Sequence, residues 1–279
     1  MNIGIIGLGL IGGSLGLSLQ KNGHNVTGFD KNRNHTEKAH EFGLISDFTD
    51  KLDDLTDNCD VIIICTPVEH IDHLVNLTLS KTSSDQIIID CGSTKKDICS
   101  NIDSHEFRDR FVAGHPIAGT EFSGPSAALP DLFSGKKMIF CDIEKSNERA
   151  KTIALQLFSS LGMQLLYMTS EEHDKHLAYV SHLSHVSSFA LSLTALEIEK
   201  NDEQILNLSG SGFASTVRLA KSNPDTWTSI FLSNKRNLLI AVEEYQNQLQ
   251  RIKDALIESS DESLKELITD AGKIRKILK

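Results

Sequence analysis

The hexapeptide Gly7-Leu8-Gly9-Leu10-Ile11-Gly12 constrains this chain more than any other feature, because it follows the apolar run Ile3-Gly4-Ile5-Ile6 and opens a helical pattern reaching Gln20. A strand, a glycine turn and a helix in that order leave few folds open. Gly7 permits the tight turn, Gly9 lets a pyrophosphate approach the backbone, and Gly12 lets the helix close on the strand. The first helical N–H groups, which lack partners within the helix, then face the anion. A second strand pattern, Asn25 to Phe29, ends at Asp30, eighteen residues past Gly12. A carboxylate there accepts hydrogen bonds from both adenosine ribose hydroxyls and repels a 2′-phosphate, which selects NAD over NADP. Expected cofactor contacts are therefore Gly7, Leu8, Gly9, Leu10, Ile11, Gly12 and Asp30. Arg33 is the one contrary signal, since a guanidinium can hold a phosphate.

Further strands are expected at Val61 to Cys65, Gln86 to Cys91, Phe111 to Ala113, Lys137 to Cys141 and Gln164 to Met168. Val61-Ile62-Ile63-Ile64 and Ile87-Ile88-Ile89 are continuous apolar runs, the pattern of parallel strands buried on both faces. Alternating with helical segments, they make a Rossmann-type, doubly wound α/β domain with a parallel sheet over residues 1–170. Cys65-Thr66-Pro67 ends one strand, so Thr66 either meets the cofactor or caps the following helix. Beyond residue 170 the strand pattern stops. Glu171 to Glu199 contains neither Gly nor Pro and repeats Tyr179, Leu183, Val186, Ala190 and Leu193 at helical spacing. Asn223-Pro224 reads as N-cap and first position of another long helix through Trp227, Phe231, Leu238 and Tyr245. Residues 171–279 are thus expected to form an all-helical domain that completes its core by homodimerisation.

The 279 residues carry 28 Lys+Arg against 38 Asp+Glu, a net charge of −10. That balance argues against nucleic acid or an anionic membrane as partner and leaves a small molecule as the expected ligand. No run reaches the roughly 18 apolar residues of a membrane span, and no cation precedes the glycine-rich N-terminal segment as in a secretory signal. Cys59, Cys65, Cys91, Cys99 and Cys141 are odd in number and include no C-x-x-C pair. This is the pattern of buried free thiols in a reducing, cytoplasmic compartment.

Two strand ends carry polar residues where a nicotinamide belongs: Asp90-Cys91-Gly92-Ser93-Thr94-Lys95, and the segment that begins Gly114-His115-Pro116. A histidine between Gly and Pro at a strand terminus is poorly placed for packing. Imidazole suits removal of a hydroxyl proton while hydride leaves the same carbon. Ser181 and His185 fall one helical turn apart with His182 beside them. H-x-x-H without a third ligand is a poor zinc site, and His173 and His176, which repeat the spacing, are expected to be exposed or capping. Between Glu203 and Glu243, Arg218, Lys221, Lys235 and Arg236 face only Asp225. Converging in space, these cations would form a pocket for an anionic substrate, with Arg218 gripping a carboxylate.

These residues resemble the prephenate dehydrogenase family, which includes arogenate and dual-specificity enzymes of tyrosine biosynthesis. The resemblance covers essentially the whole chain and rests on GLGLIGGS at 7–14, GHPIAGTEFSGP at 114–125, AYVSHLSH at 178–185 and GSGFASTVRLAKSNPDTW at 210–227. It implies NAD-dependent oxidative decarboxylation of prephenate. It further implies that His115 accepts the proton of the substrate hydroxyl, that Ser93 orients both, and that Arg218 holds a carboxylate. Ser181, His182, His185 and Ser222 match residues lining the substrate pocket, Glu121 an acid near its opening, and Trp227 an aromatic toward the substrate side chain. Ser184 and Ser215 depart from the pattern, proline and an acid being common at those places. The missing acid at 215 favours prephenate over arogenate, whose ammonium group it would meet, although Glu121 could supply that charge. At 279 residues neither a fused chorismate mutase nor a C-terminal regulatory domain is expected. Outside enzymology, the alternative is a sensor that binds NAD without turnover.

Overall fold

The computed structural model describes residues 1–200 and 206–277. Its strands are β1 (Asn2–Ile6), β2 (Asn25–Phe29), β3 (Asp47–Phe48), β4 (Val61–Ile64), β5 (Ile87–Asp90), β6 (Phe111–Ile117), β7 (Lys137–Cys141) and β8 (Gln164–Met168). They form one sheet in the order β3-β2-β1-β4-β5-β6-β7-β8. Only β3, two residues long and without room for any alternation, escapes the sequence pattern. Every neighbouring pair is parallel except β6 with β7. The sheet is therefore mixed rather than wholly parallel. A parallel return needs a crossover helix, and the link between β6 and β7 contains only the short 3-10 turn Pro125–Ala127.

Helices α1 (Leu10–Lys21), α2 (Arg33–Glu41), α3 (Leu52–Asn58), α4 (Val68–Lys81), α5 (Lys96–Ile102) and α6 (Glu148–Ser160) cover the two faces. Side chains alternate along a strand, so Ile3, Ile5, Val61, Ile63, Ile87 and Ile89 pack with α1 and α6, whereas Ile6, Ile62, Ile64 and Ile88 pack with α3, α4 and α5. Each such buried side chain contributes about 1.5–3 kcal/mol. Leu177 and Ile230, from the helical region, join the second cluster and seat that region on one face of the sheet.

The helical region begins with α7 (Ser170–Leu177), started by a capping box in which Thr169 and Glu172 bond each other's main-chain N–H. One turn of π-helix, Ala178–His182, leads into α8 (Leu183–Glu199), so the single helix expected over 171–199 is interrupted at the residues expected to carry chemistry. After α9 (Ser211–Thr216), Asn223 caps α10 (Pro224–Ser233) by accepting from Thr226 N, with Pro224 in the first turn. The long helix expected from there breaks at Asn234, and α11 (Lys235–Ile257) and α12 (Asp261–Ala271) follow. The break has a local cause. Asn234 is buried, and its amide turns inward to donate to the Asp174 carbonyl at 2.7 Å. No helix among the described residues is long and apolar enough to cross a membrane.

Candidate active site

At the carboxyl end of β1, Gly7 adopts φ +92°, and a Cβ there would lie 2.8 Å from the Cys65 main chain at the end of β4. The sheet order reverses between these two strands, which is where open α/β sheets bind ligands. A Cβ on Gly12 would come within 1.9 Å of Gly7 O, so only glycine lets α1 close on the turn. At Gly9, by contrast, a Cβ would meet no protein atom within 4 Å. Gly9 is also the N-cap of α1 and offers no side chain to the helix N-terminus, which leaves that place to an anion. Asp30 accepts Leu8 N–H at 2.9 Å and Asn32 N–H at 2.8 Å, so it braces the glycine turn from the neighbouring strand.

Gly7, Gly9, Asp30, Cys65 and Thr66 border one end of the cleft, and Leu10, Ile11, Cys65, Thr66 and Ser93 continue it. Thr66 Oγ1 is buried with no hydrogen-bond partner among the described residues, and the N-cap of α4 is Pro67, so capping is not its role. These features fit a dinucleotide. Leu8 does not face the cleft: its side chain is fully buried and its N–H is taken by Asp30, a correction to its expected cofactor contact. Arg33 is turned to Glu37 and Asp50, both at 2.9 Å, which answers the one signal for a 2′-phosphate.

The cleft opens into a cavity of about 390 Å³ between the sheet and the helical region, a volume suited to a small metabolite. Ser93, Glu121, Ser222 and Trp227 border both spaces. His115, Ser181, His182, His185 and Arg218 line the cavity itself, so the expected site residues from β5, β6 and the helical region do come together. His115 lies within β6 rather than at its end, because the strand continues through Pro116 to Ile117. Past Ala113 the strand has left β5 and pairs with β7 alone, and an edge tolerates proline. Asp90, at the end of β5, is fully buried and accepts from Gly92 N at 2.8 Å and Gly114 N at 3.2 Å. One carboxylate thereby holds the neighbours of Ser93 and of His115. Lys95, equally buried, forms an ion pair with it. Burial works to lower the Lys95 pKa, but the Asp90 carboxylate outweighs it and raises the ammonium above its ordinary value.

His173 is a second correction. Far from exposed or capping, it is completely buried, and its Nε2 lies 2.8 Å from His115 Nδ1. Its Nδ1 lies 2.7 Å from Asp174 Oδ1. Burial, together with His173, Lys95 and His182, holds His115 well below its ordinary pKa, so the imidazole is neutral and ready to accept a proton. Burial likewise pushes His182 down to about 4. His185 stacks on Trp227 with ring centroids 3.3 Å apart and forms one wall. Arg218 donates to Glu121 at 3.1 Å across the opening. Its own main-chain N–H, and then Arg218, keep Glu121 below the usual carboxylate range.

The four cations between Glu203 and Glu243 do not all converge, although Lys221 joins Arg218 in lowering the Glu121 pKa. Arg218 lines the cavity, whereas Lys221, Lys235 and Arg236 do not, the last two lying on α11 beyond the break at Asn234. Lys136, just before β7, lines it instead and was invisible to a search for local charge. Among the described residues no group of three or more His, Cys, Asp or Glu could hold a metal ion.

Two family descriptions match the chain: prephenate dehydrogenase, nucleotide-binding domain, over residues 15–167, and prephenate dehydrogenase, dimerization domain, over residues 169–270. The chain belongs to the prephenate dehydrogenase family. Prephenate dehydrogenase of Bacillus subtilis is 30% identical over 93% of this chain and 71% of its own length. A crystal structure of prephenate dehydrogenase from A. aeolicus, in complex with hydroxyphenyl propionate and NAD+, superposes with a TM-score of 0.92 at 30% identity, covering 100% of this chain and 98% of that one. Synechocystis arogenate dehydrogenase superposes with a TM-score of 0.80 at 28% identity, covering 99% of both chains. Members of the prephenate dehydrogenase family that differ in substrate thus stand at nearly the same identity to this chain, and substrate choice has to be argued from the cavity.

Proposed function

We propose that this chain is an NAD-dependent prephenate dehydrogenase that converts prephenate to 4-hydroxyphenylpyruvate, carbon dioxide and NADH. The observation that carries the reading is the junction at Ser93, where the cleft behind Gly9 and Asp30 meets the cavity holding His115 and Arg218. NAD, when bound, supplies the hydride acceptor. His115 takes the substrate hydroxyl proton through Nε2, its other nitrogen being occupied by His173. The Ser93 hydroxyl orients that oxygen, and loss of the ring carboxylate completes an aromatic ring, so the step does not reverse. Arg218 and Lys136 supply cations for the two substrate carboxylates. Ser181, His182 and Ser222 shape the pocket, while the stacked His185 and Trp227 shield it from water.

Prephenate is favoured over arogenate by charge. Glu121 is the one carboxylate among the described cavity-lining residues, and it is outnumbered there by Arg218 and Lys136. Ser215 carries no charge, and Lys136 repels an ammonium group. We assign the cofactor domain to residues 1–170 and a helical substrate and dimer domain to 171–279, of which 201–205 and 278–279 lie outside the described residues. Exposed Leu193, Leu196, Leu239, Ile240, Leu256 and Ile257 on α8 and α11 support a homodimer through that second domain, and the chain's reduced cysteines suit the cytoplasm. NADH formation by purified protein, measured with prephenate and with arogenate, tests the reading. A higher kcat/KM with prephenate is expected. A preference for arogenate overturns the substrate choice, and NAD binding without turnover of either favours a sensor.

A further inference from the structure

We propose that His173 and Asp174 are positioning residues that fix the tautomer of His115 and stabilise the charge it gains in turnover. The proposal rests on the dehydrogenase reading only for the identity of the proton donor. Its basis is a directional chain of hydrogen bonds running from β6 into α7. Asp174 Oδ1 accepts Lys95 N–H at 2.8 Å, Asp174 Oδ2 accepts Lys96 N–H at 2.9 Å, and His173 Nδ1 lies 2.7 Å from Oδ1. A carboxylate already receiving two main-chain donors is an acceptor, so His173 Nδ1 must carry the proton. His173 Nε2 is then a lone pair, and the only group that can bond it at 2.8 Å is a protonated His115 Nδ1. The opposite arrangement would set a lone pair of His173 against those of Asp174. The two rings meet edge to edge, with centroids 5.0 Å apart and planes at 64°.

His115 Nε2 is consequently unprotonated and free to act as the base. This matters because the free neutral side chain has two tautomers and only one of them is useful here. When Nε2 takes the hydroxyl proton, His115 becomes a cation, and its Nδ1–H already points along the chain to the Asp174 anion. The other charged and titratable groups packed around it oppose that cation or are neutralised. Lys95 is paired with Asp90, and His182 receives the Asn234 amide on Nδ1 at 3.1 Å and stays neutral. Asp174 is therefore the uncompensated negative charge on which the new cation depends. The arrangement follows the logic of a base oriented by a buried acid, with one imidazole inserted between them.

Asp174 also caps α5 through Lys95 and Lys96, so its replacement would mix folding with function, and His173 is the residue to change. Gln at 173 can accept from His115 with its carbonyl and donate to Asp174 with its amide, while Phe can do neither. His173→Phe should lower kcat by about 100-fold or more, shift the acid limb of the kcat profile to lower pH as the imidazolium loses Asp174, and leave the KM for NAD unchanged. His173→Gln should restore kcat to within about 10-fold of wild type. Long-range proton–nitrogen NMR on the protein without substrate reads the tautomer directly, with His115 protonated at Nδ1 in the wild type and in His173→Gln but not in His173→Phe. The proposal is overturned if His173→Phe keeps full kcat, if both variants fall equally, or if wild-type His115 carries its proton on Nε2. Wild-type protein that turns over neither substrate while showing the Nδ1–H tautomer overturns the functional reading and leaves this assignment standing.

Discussion

Replacing Lys95 by Met should cost about 3–5 kcal/mol of folding stability, the usual consequence of breaking a buried ion pair from one side. Lys95 and Asp90 both have side chains with 0% exposure, so water cannot take over the role of the lost partner. Asp90 would keep its bonds from Gly92 N at 2.8 Å and Gly114 N at 3.2 Å, and Met fills much of the lysine stem's volume. Both effects place the expected loss nearer 3 than 5 kcal/mol. Removing the charge from both sides relieves part of this: Asp90→Asn with Lys95→Met should lose less than the two single losses together, because no unpaired buried ion remains, yet stay below wild type, because the Asn amide can accept from only one of Gly92 N–H and Gly114 N–H. Urea unfolding of wild type, both single variants and the double variant, at one protein concentration, measures this as a coupling free energy. A loss below about 1 kcal/mol in Lys95→Met, or additive losses in the double variant, would refute the buried-pair reasoning.

His115→Asn should reduce kcat by roughly 10²- to 10⁴-fold, the range for loss of a general base, with NAD affinity by calorimetric titration unchanged. Arg218→Ala should raise the KM for substrate far more than it lowers kcat, and Lys136→Ala should act in the same direction; steady-state kinetics with unchanged KM in both would remove these two cations from substrate recognition. Stability should fall with acidification through the buried imidazoles. His182 is pushed down to about 4 by burial, against about 6.5 when unfolded, so the unfolded chain binds the proton first. The stabilisation, roughly 3 kcal/mol from this group, is present above about pH 6.5 and is lost as pH falls toward 4. His115 and His173 are lowered as well and add to the same trend. Urea midpoints measured across that window should show a flatter profile for His182→Asn than for wild type, and an unchanged profile would contradict the assignment.

Local sequence was enough to determine the nucleotide half of this protein. Gly7, Gly9, Gly12 and Asp30 act through backbone conformation and strand ends, properties of short segments, and seven of the eight strands announce themselves by short runs of apolar or β-branched residues. His115 was legible for the same reason, flanked by Gly114 and Pro116. Leu8 was misassigned because a glycine-turn motif does not say which of its N–H groups the protein keeps for Asp30. What only the tertiary structure decided is how distant charges and imidazoles meet. His173 and His115 are 58 residues apart and touch because α7 packs on the N-terminus of α5, beside β6, and Lys136 reaches the cavity because β7 returns antiparallel to β6. Charge clustering along the chain suggested Lys235 and Arg236 as substrate ligands, but the break at Asn234 sets both on α11 and away from the cavity. Periodicity and motif record what a segment does to its own backbone; the partners of a buried charge are set by which elements the core brings together.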